Sequence, residues 1–410
     1  MDFFRLQKIS EVLGYVKKFH PLGTESVPLA AAWNRVLAAE VIAAADVPEF
    51  SRSTMDGYAV RAQDTFGAGP GNPAWLTIIG EVGMGEEARL PLAPGQAQRI
   101  ATGGMLPPGA DAVVMLEYTQ ELADQTLEVY RSVAPLENVV QQGEDVAAGS
   151  AVLPAGLRLR PQDVGLLAAL GVTSVQVRRQ PRVAIIATGD EIVPPEAPLQ
   201  HGQMRDANSY ALAAQVAAQG GEPLLLGIVP DRLEALVASV ERALETMDLI
   251  LLSGGSSVGT RDLTIAAIQS FPGAEILVHG VAISPGKPTI LARIGAKPLF
   301  GLPGHPVSAM VVMEVLVRPV LRRLLGQTDS TPTWGRTVTA SLSRNVASTP
   351  GREDFIRVRV RQDGGILRAE PVLGKSGLIS TMVKADGWVR IPLNAEGLEQ
   401  GERVEVLLFD

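Results

Sequence analysis

Cysteine is absent from this chain of 410 residues. That excludes disulfides, a thiolate nucleophile and any cysteine-ligated zinc or iron–sulfur centre. Histidine is scarce: His20, His201, His279 and His305 stand far apart. A histidine-rich metal site is therefore not expected, whereas an oxygen-ligated cation such as magnesium stays open. There is no basic block. Lys and Arg total 36 against 44 Asp and Glu, a net charge of -8. Nucleic-acid binding, which draws most of its affinity from phosphate contacts, is not expected. A local anion site on an acidic chain is not excluded by that balance. No uncharged apolar run reaches roughly 18 residues, so no membrane span is expected. Met1 to Ser10 carries Asp2, Arg5 and Lys8 and does not read as a signal peptide. The cytoplasm is the expected location.

What is present is apolar material, 46% of the residues, together with 42 Gly and 29 Pro. Length alone suggests about two to four domains. Ile9, Val12, Leu13 and Val16 recur at helical spacing over 8–18. Short β-rich runs such as Trp75-Leu-Thr-Ile-Ile79 and Asp111-Ala-Val-Val-Met115, split by Gly and Pro turns, predict an all-β insert. Pro161 opens and Gly171 closes a helix lined by Val164, Leu166, Leu167 and Leu170. From Pro181 onward, strands and helices alternate. Val183 to Ala187 and Leu249 to Leu252 are wholly apolar, Pro223 to Val229 is a further strand, and helices are predicted over 210–219 and 232–246. Wholly apolar strands between helices imply a mainly parallel sheet covered on both faces. Gln327 to Trp334 reads as a linker. Beyond it, Phe355 to Val360 and Val404 to Leu408 alternate with period two. The expected class is thus multidomain α+β and α/β. The expected divisions are 1–50 with 140–178 (helical and linking), 51–139 (β-rich insert), 179–327 (three-layer α/β) and 328–410 (a small, barrel-like β domain).

Three loops follow strands of the α/β segment. They are Thr188-Gly189-Asp190-Glu191, then Ser253-Gly-Gly-Ser-Ser-Val-Gly259 with Asp262 beyond it, and Gly301-Leu-Pro-Gly-His-Pro306 leading into a helix near Val307. Ligands of open parallel sheets bind outside the carboxyl ends of the strands. Glycine there lets backbone N–H groups approach phosphate oxygens, and nearby carboxylates hold hydrated magnesium. Singly, each loop reads as a tight turn and each carboxylate as a cap or a solvated charge. Lys287 sits between prolines in Ser284-Pro-Gly-Lys-Pro288, a pre-ordered place for a positive point charge. The loops lack the endings of a P-loop or a dinucleotide-binding turn, which argues against an ATPase or a dehydrogenase.

Eight segments in series carry a resemblance. They are SxMDGYAV at 53–60 (here with Thr54), RIATGGMLPPGADAVVMLE at 99–117, QGEDV at 142–146, ATGDEI at 187–192, SGGSSVG at 253–259, PGKP at 285–288, GLPGHPVSA at 301–309 and KSGLISTMVKADG at 375–387. Together they span nearly the whole chain, which resembles the MoeA family of molybdopterin molybdotransferases, to which the gephyrin E domain also belongs. The resemblance implies an elongated homodimer of four-domain chains. The active site would lie between the α/β domain of one subunit and the N-terminal domains of the other. The implied reaction inserts molybdate into adenylylated molybdopterin, with magnesium, and releases AMP. A pterin adenylyltransferase and molybdoenzyme chaperones are the implied protein partners. Asp56, Thr102, Glu191, Asp231, Asp262 and Lys287 take the implied catalytic roles, with Glu191 and Asp262 as metal ligands. Substrate binding falls to Asp145, Thr188, Gly189, Ser253, Gly254, Gly255, Ser257, Gly259, Pro303, Gly304, Pro306 and Ser376. Thr102, Ser376 and backbone amides would hold the tetrahedral oxyanion by hydrogen bonds. The chain departs from the family pattern at Gly280 and Ser284, where some members carry Lys, and at His305, where the loop usually has Asn. A pterin adenylyltransferase and a receptor-clustering scaffold are the competing expectations. Neither a second α/β domain nor a scaffolding linker is visible.

Overall fold

The structure, a computed structural model, describes residues 6–254, 258–328 and 336–409. Its central sheet has four parallel strands in the order Glu222–Val229, Arg182–Thr188, Leu249–Ser253 and Lys297–Leu302. Two antiparallel strands, Ile290–Ile294 and Ala274–His279, complete one edge. The parallel core explains the unbroken apolar runs, because both alternating sets of side chains are buried. Val183, Ile185, Leu249, Leu251 and Phe300 pack with Leu212, Val216 and Val307 on one face. Ala184, Ile186, Ile250, Leu252 and Leu299 pack with Leu236, Val240 and Ala243 on the other. Each such Leu or Ile contributes about 1.5–3 kcal/mol through burial. The mainly parallel sheet expected from the alternation is therefore present.

The helix after the third loop runs as Pro306–Val312, a wider π turn over Met313–Val317, and Arg318–Leu324. Pro319 supplies a reason for the wide turn. It has no N–H, and its ring would strike the carbonyl four residues back in a regular α-helix. Against this helix lies the first one. The 8–18 stretch forms an α-helix only over Ile9–Gly14 and tightens to a 3-10 turn over Tyr15–Lys18. Gly14 is a poor helix former, and there the regular helix ends. Ile9, Val12 and Phe19 are buried in the α/β core rather than with the rest of the 1–50 segment. Arg323 Nε donates to the Phe19 carbonyl at 3.0 Å, and Leu22 N–H donates to the Leu324 carbonyl at 2.8 Å.

The remainder of the N-terminal half has its own cores. Strands Thr24–Pro28 and Ser174–Arg178 pair antiparallel beside the helix Pro161–Ala169, around Leu37, Leu159, Leu167 and Val177. A six-stranded sheet is ordered Ala112–Met115, Gly57–Val60, Gln96–Ile100, Ala74–Val82, Thr126–Val129 and Thr119–Glu121. Helix Pro161–Ala169 begins with a reciprocal clamp. Asp163 accepts from the Arg160 backbone N–H at 2.8 Å and from its guanidinium at 2.9 Å through both oxygens. Arg160 holds the Asp163 carboxyl below its ordinary range. Asp163→Ala is expected to cost about 1–2 kcal/mol in denaturant unfolding at neutral pH. Because the folded-state value is depressed, the ionised carboxylate stabilises above the ordinary carboxylate range, and that contribution fades as pH falls through the folded value. The gap between wild type and variant should accordingly close in acid; a gap independent of pH would show that charge plays no part.

The C-terminal strands close a five-stranded barrel: Glu353–Asp363, Ile366–Pro371, Thr337–Leu342, Arg403–Leu408 and Gly387–Ile391, the last pairing back with the first. Val358, Ala369, Val389, Ile391 and Val406 fill it. The linker expected over 327–334 lies mostly outside the described residues. The barrel is stitched to the α/β domain. Ile283–Ser284 pairs in parallel with Glu353 and Asp354, and Phe355, Trp388 and Leu407 join the α/β core.

Candidate active site

Parallel strands that begin together also end together, and three of them deliver the polar loops side by side. Thr188 closes its strand and is buried, with Gly189 behind it and Glu191 exposed beyond. Ser253 closes the next strand and is buried, followed by Gly254. Gly254 occupies a backbone conformation with φ +144°, and a methyl group there would run into the Thr188 carbonyl and lie 2.5 Å from its hydroxyl oxygen. Glycine is required because the first two loops touch at that atom. The third loop is tied in by Asn208, at the start of the helix Asn208–Ala218. Its Nδ2 donates to Ser253 Oγ and to the Gly304 carbonyl, both at 2.9 Å. Gly255 and Ser257 lie outside the described residues. Gly259 is in the first turn of helix Val258–Gln269, and Asp262 is exposed further along it.

Acidic groups collect at the first loop. Asp231 follows the strand Glu222–Val229, and its backbone N–H donates to Asp190 Oδ1 at 3.2 Å. Burial raises the Asp231 carboxyl above its ordinary range, and the charges of Asp190 and Glu191 push the same way. Oxygen donors of this kind suit a hard cation. Among the described residues, no three His, Asp or Glu side chains are placed as a ready metal cage.

Lys287 and Ser376 both line a cavity of about 490 Å3, whose wall also includes Ser284, Pro303, His305 and Arg352. The pairing of Ile283–Ser284 with Glu353 and Asp354 puts the Lys287 turn against Arg352. Gly286, at φ +129°, makes the turn tight enough, because a side chain there would strike Val312. Arg352 pairs with Asp354 at 3.0 Å, while Lys287 has no ion pair among the described residues. His305 Nδ1 lies 2.8 Å from Ser376 Oγ. Val307 N–H donates to the Ser376 carbonyl at 3.1 Å, and Pro306 opens the helix that follows.

A second group forms in the N-terminal half. Asp56 Oδ1 accepts from the Thr102 backbone N–H at 2.7 Å and from its hydroxyl at 3.0 Å. The backbone bond, then the hydroxyl, holds the Asp56 carboxyl below its ordinary range, so it stays ionised near neutrality. Arg52–Ser53 pairs with Val139–Val140, and Asp145 N–H donates to the Val47 carbonyl at 3.1 Å, which brings the QGEDV loop to the same region. Among the described residues, no hydrogen bond joins Asp56, Thr102 or Asp145 to the α/β loops.

Sequence reasoning passed over Asn208, Asp190 and Arg352 as site residues. Asn208 had a signal, a polar run Asp206-Ala-Asn-Ser209 just ahead of an apolar helix. Arg352 had none, since a parallel pairing across some seventy positions brings it to the cavity.

A parallel sheet presenting three linked polar loops, walled by a barrel that adds cationic and hydroxyl groups, is an arrangement suited to a small anionic or phosphate-bearing ligand. Comparison with known proteins narrows the class. Residues 6–171 match the "MoeA N-terminal region (domain I and II)", 184–323 the "Probable molybdopterin binding domain" and 339–409 the "MoeA C-terminal region (domain IV)". Molybdopterin molybdenumtransferase of Bacillus subtilis is 36% identical, over 98% of this chain and 94% of that protein. Molybdopterin molybdenumtransferase 2 of Mycobacterium tuberculosis is 36% identical over 93% and 94%. A crystal structure of the molybdopterin biosynthesis MoeA protein of Pyrococcus horikoshii OT3 matches with a TM-score of 0.84 and 34% identity, covering 99% of this chain and 100% of that one. The chain belongs to the MoeA family.

Proposed function

We propose that the protein is a molybdopterin molybdenumtransferase that inserts molybdate into adenylylated molybdopterin and releases AMP. The observation that carries this reading is the juxtaposition of two subsites. The strand-end loops at Thr188, Ser253 and Gly304 suit the nucleotide-bearing substrate. The adjoining cavity offers Lys287, Ser376 and Arg352 to a small tetrahedral oxyanion such as molybdate. A lysine without a carboxylate partner among the described residues, together with hydroxyl donors, fits that anion in charge and in hydrogen bonding. The relatives' names supply the substrate class.

Magnesium belongs to the same reading, with Glu191 and Asp262 as its ligands. Magnesium keeps several waters and takes one or two carboxylates plus substrate phosphates, so the lack of a three-carboxylate cage among the described residues is compatible with it. When bound, it would neutralise phosphate charge at the anhydride. The chain's own groups hold the nucleotide at the loops and the oxyanion at Lys287 and Ser376. Asp231, whose carboxyl burial raises above its ordinary range, stands at the first of these loops.

A homodimer completes the reading. Trp33, Phe66, Trp75 and Met84, 61–65% exposed in the N-terminal half, are apolar side chains that such a partner would be able to cover. Asp56, Thr102 and Asp145 would then reach the α/β loops of the other subunit. No described helix is long and apolar enough to cross a membrane.

The test is AMP release from adenylylated molybdopterin with added molybdate and magnesium. Lys287→Ala is expected to raise the half-saturating molybdate concentration about tenfold or more, the effect of losing one charge-assisted contact. ATP consumption in place of AMP release would instead identify an adenylyltransferase.

A further inference from the structure

His305 stands in the wall of the cavity and touches the serine there. The backbone of Ser376 is already held without it. Val307 N–H donates to its carbonyl at 3.1 Å. Arg357 grips the two ends of its loop, Nη2 donating to the Gly374 carbonyl at 2.7 Å and Nη1 to Thr381 Oγ1 at 2.6 Å. What remains free is rotation of the Ser376 hydroxyl, and His305 Nδ1 at 2.8 Å restrains it.

A hydroxyl has one proton and two acceptor lone pairs. With Nδ1 unprotonated, the imidazole draws the serine proton toward itself and away from the cavity. With Nδ1 protonated, Ser376 Oγ accepts from the ring and its own proton is free to point at an anion oxygen. Only the second arrangement makes Ser376 a donor to an oxyanion. An asparagine at the same place offers an amide N–H and meets the same requirement. The His305 backbone is fixed for this purpose: its carbonyl accepts from Ala309 N–H at 3.0 Å, and Pro306 opens the helix behind it.

We propose that His305 is a positioning residue whose Nδ1–H donates to Ser376 Oγ and so turns the serine proton toward bound molybdate. This rests on the reading of the Lys287–Ser376 cavity as the molybdate subsite. The experiment measures the half-saturating molybdate concentration and kcat for AMP release, with thermal unfolding as a check on folding. Ser376→Ala and His305→Ala are each expected to raise half-saturation about tenfold with a smaller change in kcat. The double variant should be no worse than Ser376→Ala alone, because both changes remove one linked contact. His305→Asn should return half-saturation close to wild type. If His305→Ala is unstable, His305→Phe keeps a ring without the nitrogen and gives the same comparison. A raised half-saturation in Ser376→Ala but not in His305→Ala overturns the positioning role and leaves the proposed function standing. Additive effects in the double variant, or no restoration by His305→Asn, overturn it too. An unchanged half-saturation in Ser376→Ala removes molybdate from the cavity, and both readings fall.

Discussion

Gly254→Ala is expected to abolish most AMP release and to cost roughly 2–5 kcal/mol of stability, combining backbone strain with overpacking. The added methyl would meet the Thr188 carbonyl and hydroxyl, at a contact between neighbouring strand ends. Two relaxations exist, and both damage the site. If the second loop moves outward, Ser253 leaves Asn208, whose amide also holds the Gly304 carbonyl. If the first loop moves, Thr188 leaves the edge that Asp231 and Glu191 share. Denaturant unfolding together with single-turnover AMP release would measure both effects. A stable and fully active Gly254→Ala protein would show that the loops do not need their present contact.

The second large effect concerns two chains at once. If the proposed homodimer forms, Asp56→Ala and Lys287→Ala proteins are each expected to lose about tenfold or more in rate at sub-saturating molybdate, since each strips a charged group from both proposed sites. A heterodimer of one chain of each kind should recover about half the activity of wild type, because one of its two sites is then built only from intact parts. Co-purification with two different tags isolates that species. If the verified heterodimer stays as inactive as its parents, Asp56 and Lys287 do not serve a site shared between subunits in the way proposed.

The core elements were legible because their patterns are local. Leu233–Thr246 places Leu236, Val240 and Ala243 on one buried face, and the strands Arg182–Thr188 and Leu249–Ser253 bury every residue after Arg182. The meeting of the three loops followed from the parallel topology that those patterns imply. The edge strands Ala274–His279 and Ile290–Ile294 were not anticipated, since their antiparallel pairing leaves no period distinct from the rest. The approach of Asp56 to Thr102 depends on the register Gly57↔Ile100, and that of Lys287 to Arg352 on Ile283↔Glu353. Such registers are chosen by three-dimensional packing between turn-rich segments, and no local propensity encodes them. The His305–Ser376 contact joins two domains and was invisible for the same reason.

The first helix has a consequence for how the protein is made. Ile9, Val12 and Phe19 are synthesised some three hundred residues ahead of Val312 to Leu324, with which they share a core, and the Phe19 carbonyl waits for Arg323. At ribosomal speeds of about 5–20 residues per second, some three hundred residues take roughly 15–60 s. Throughout that interval the apolar face of this first helix lacks the part of its cover that Val312 to Leu324 supply, and its packing is complete only once the α/β layer is nearly finished.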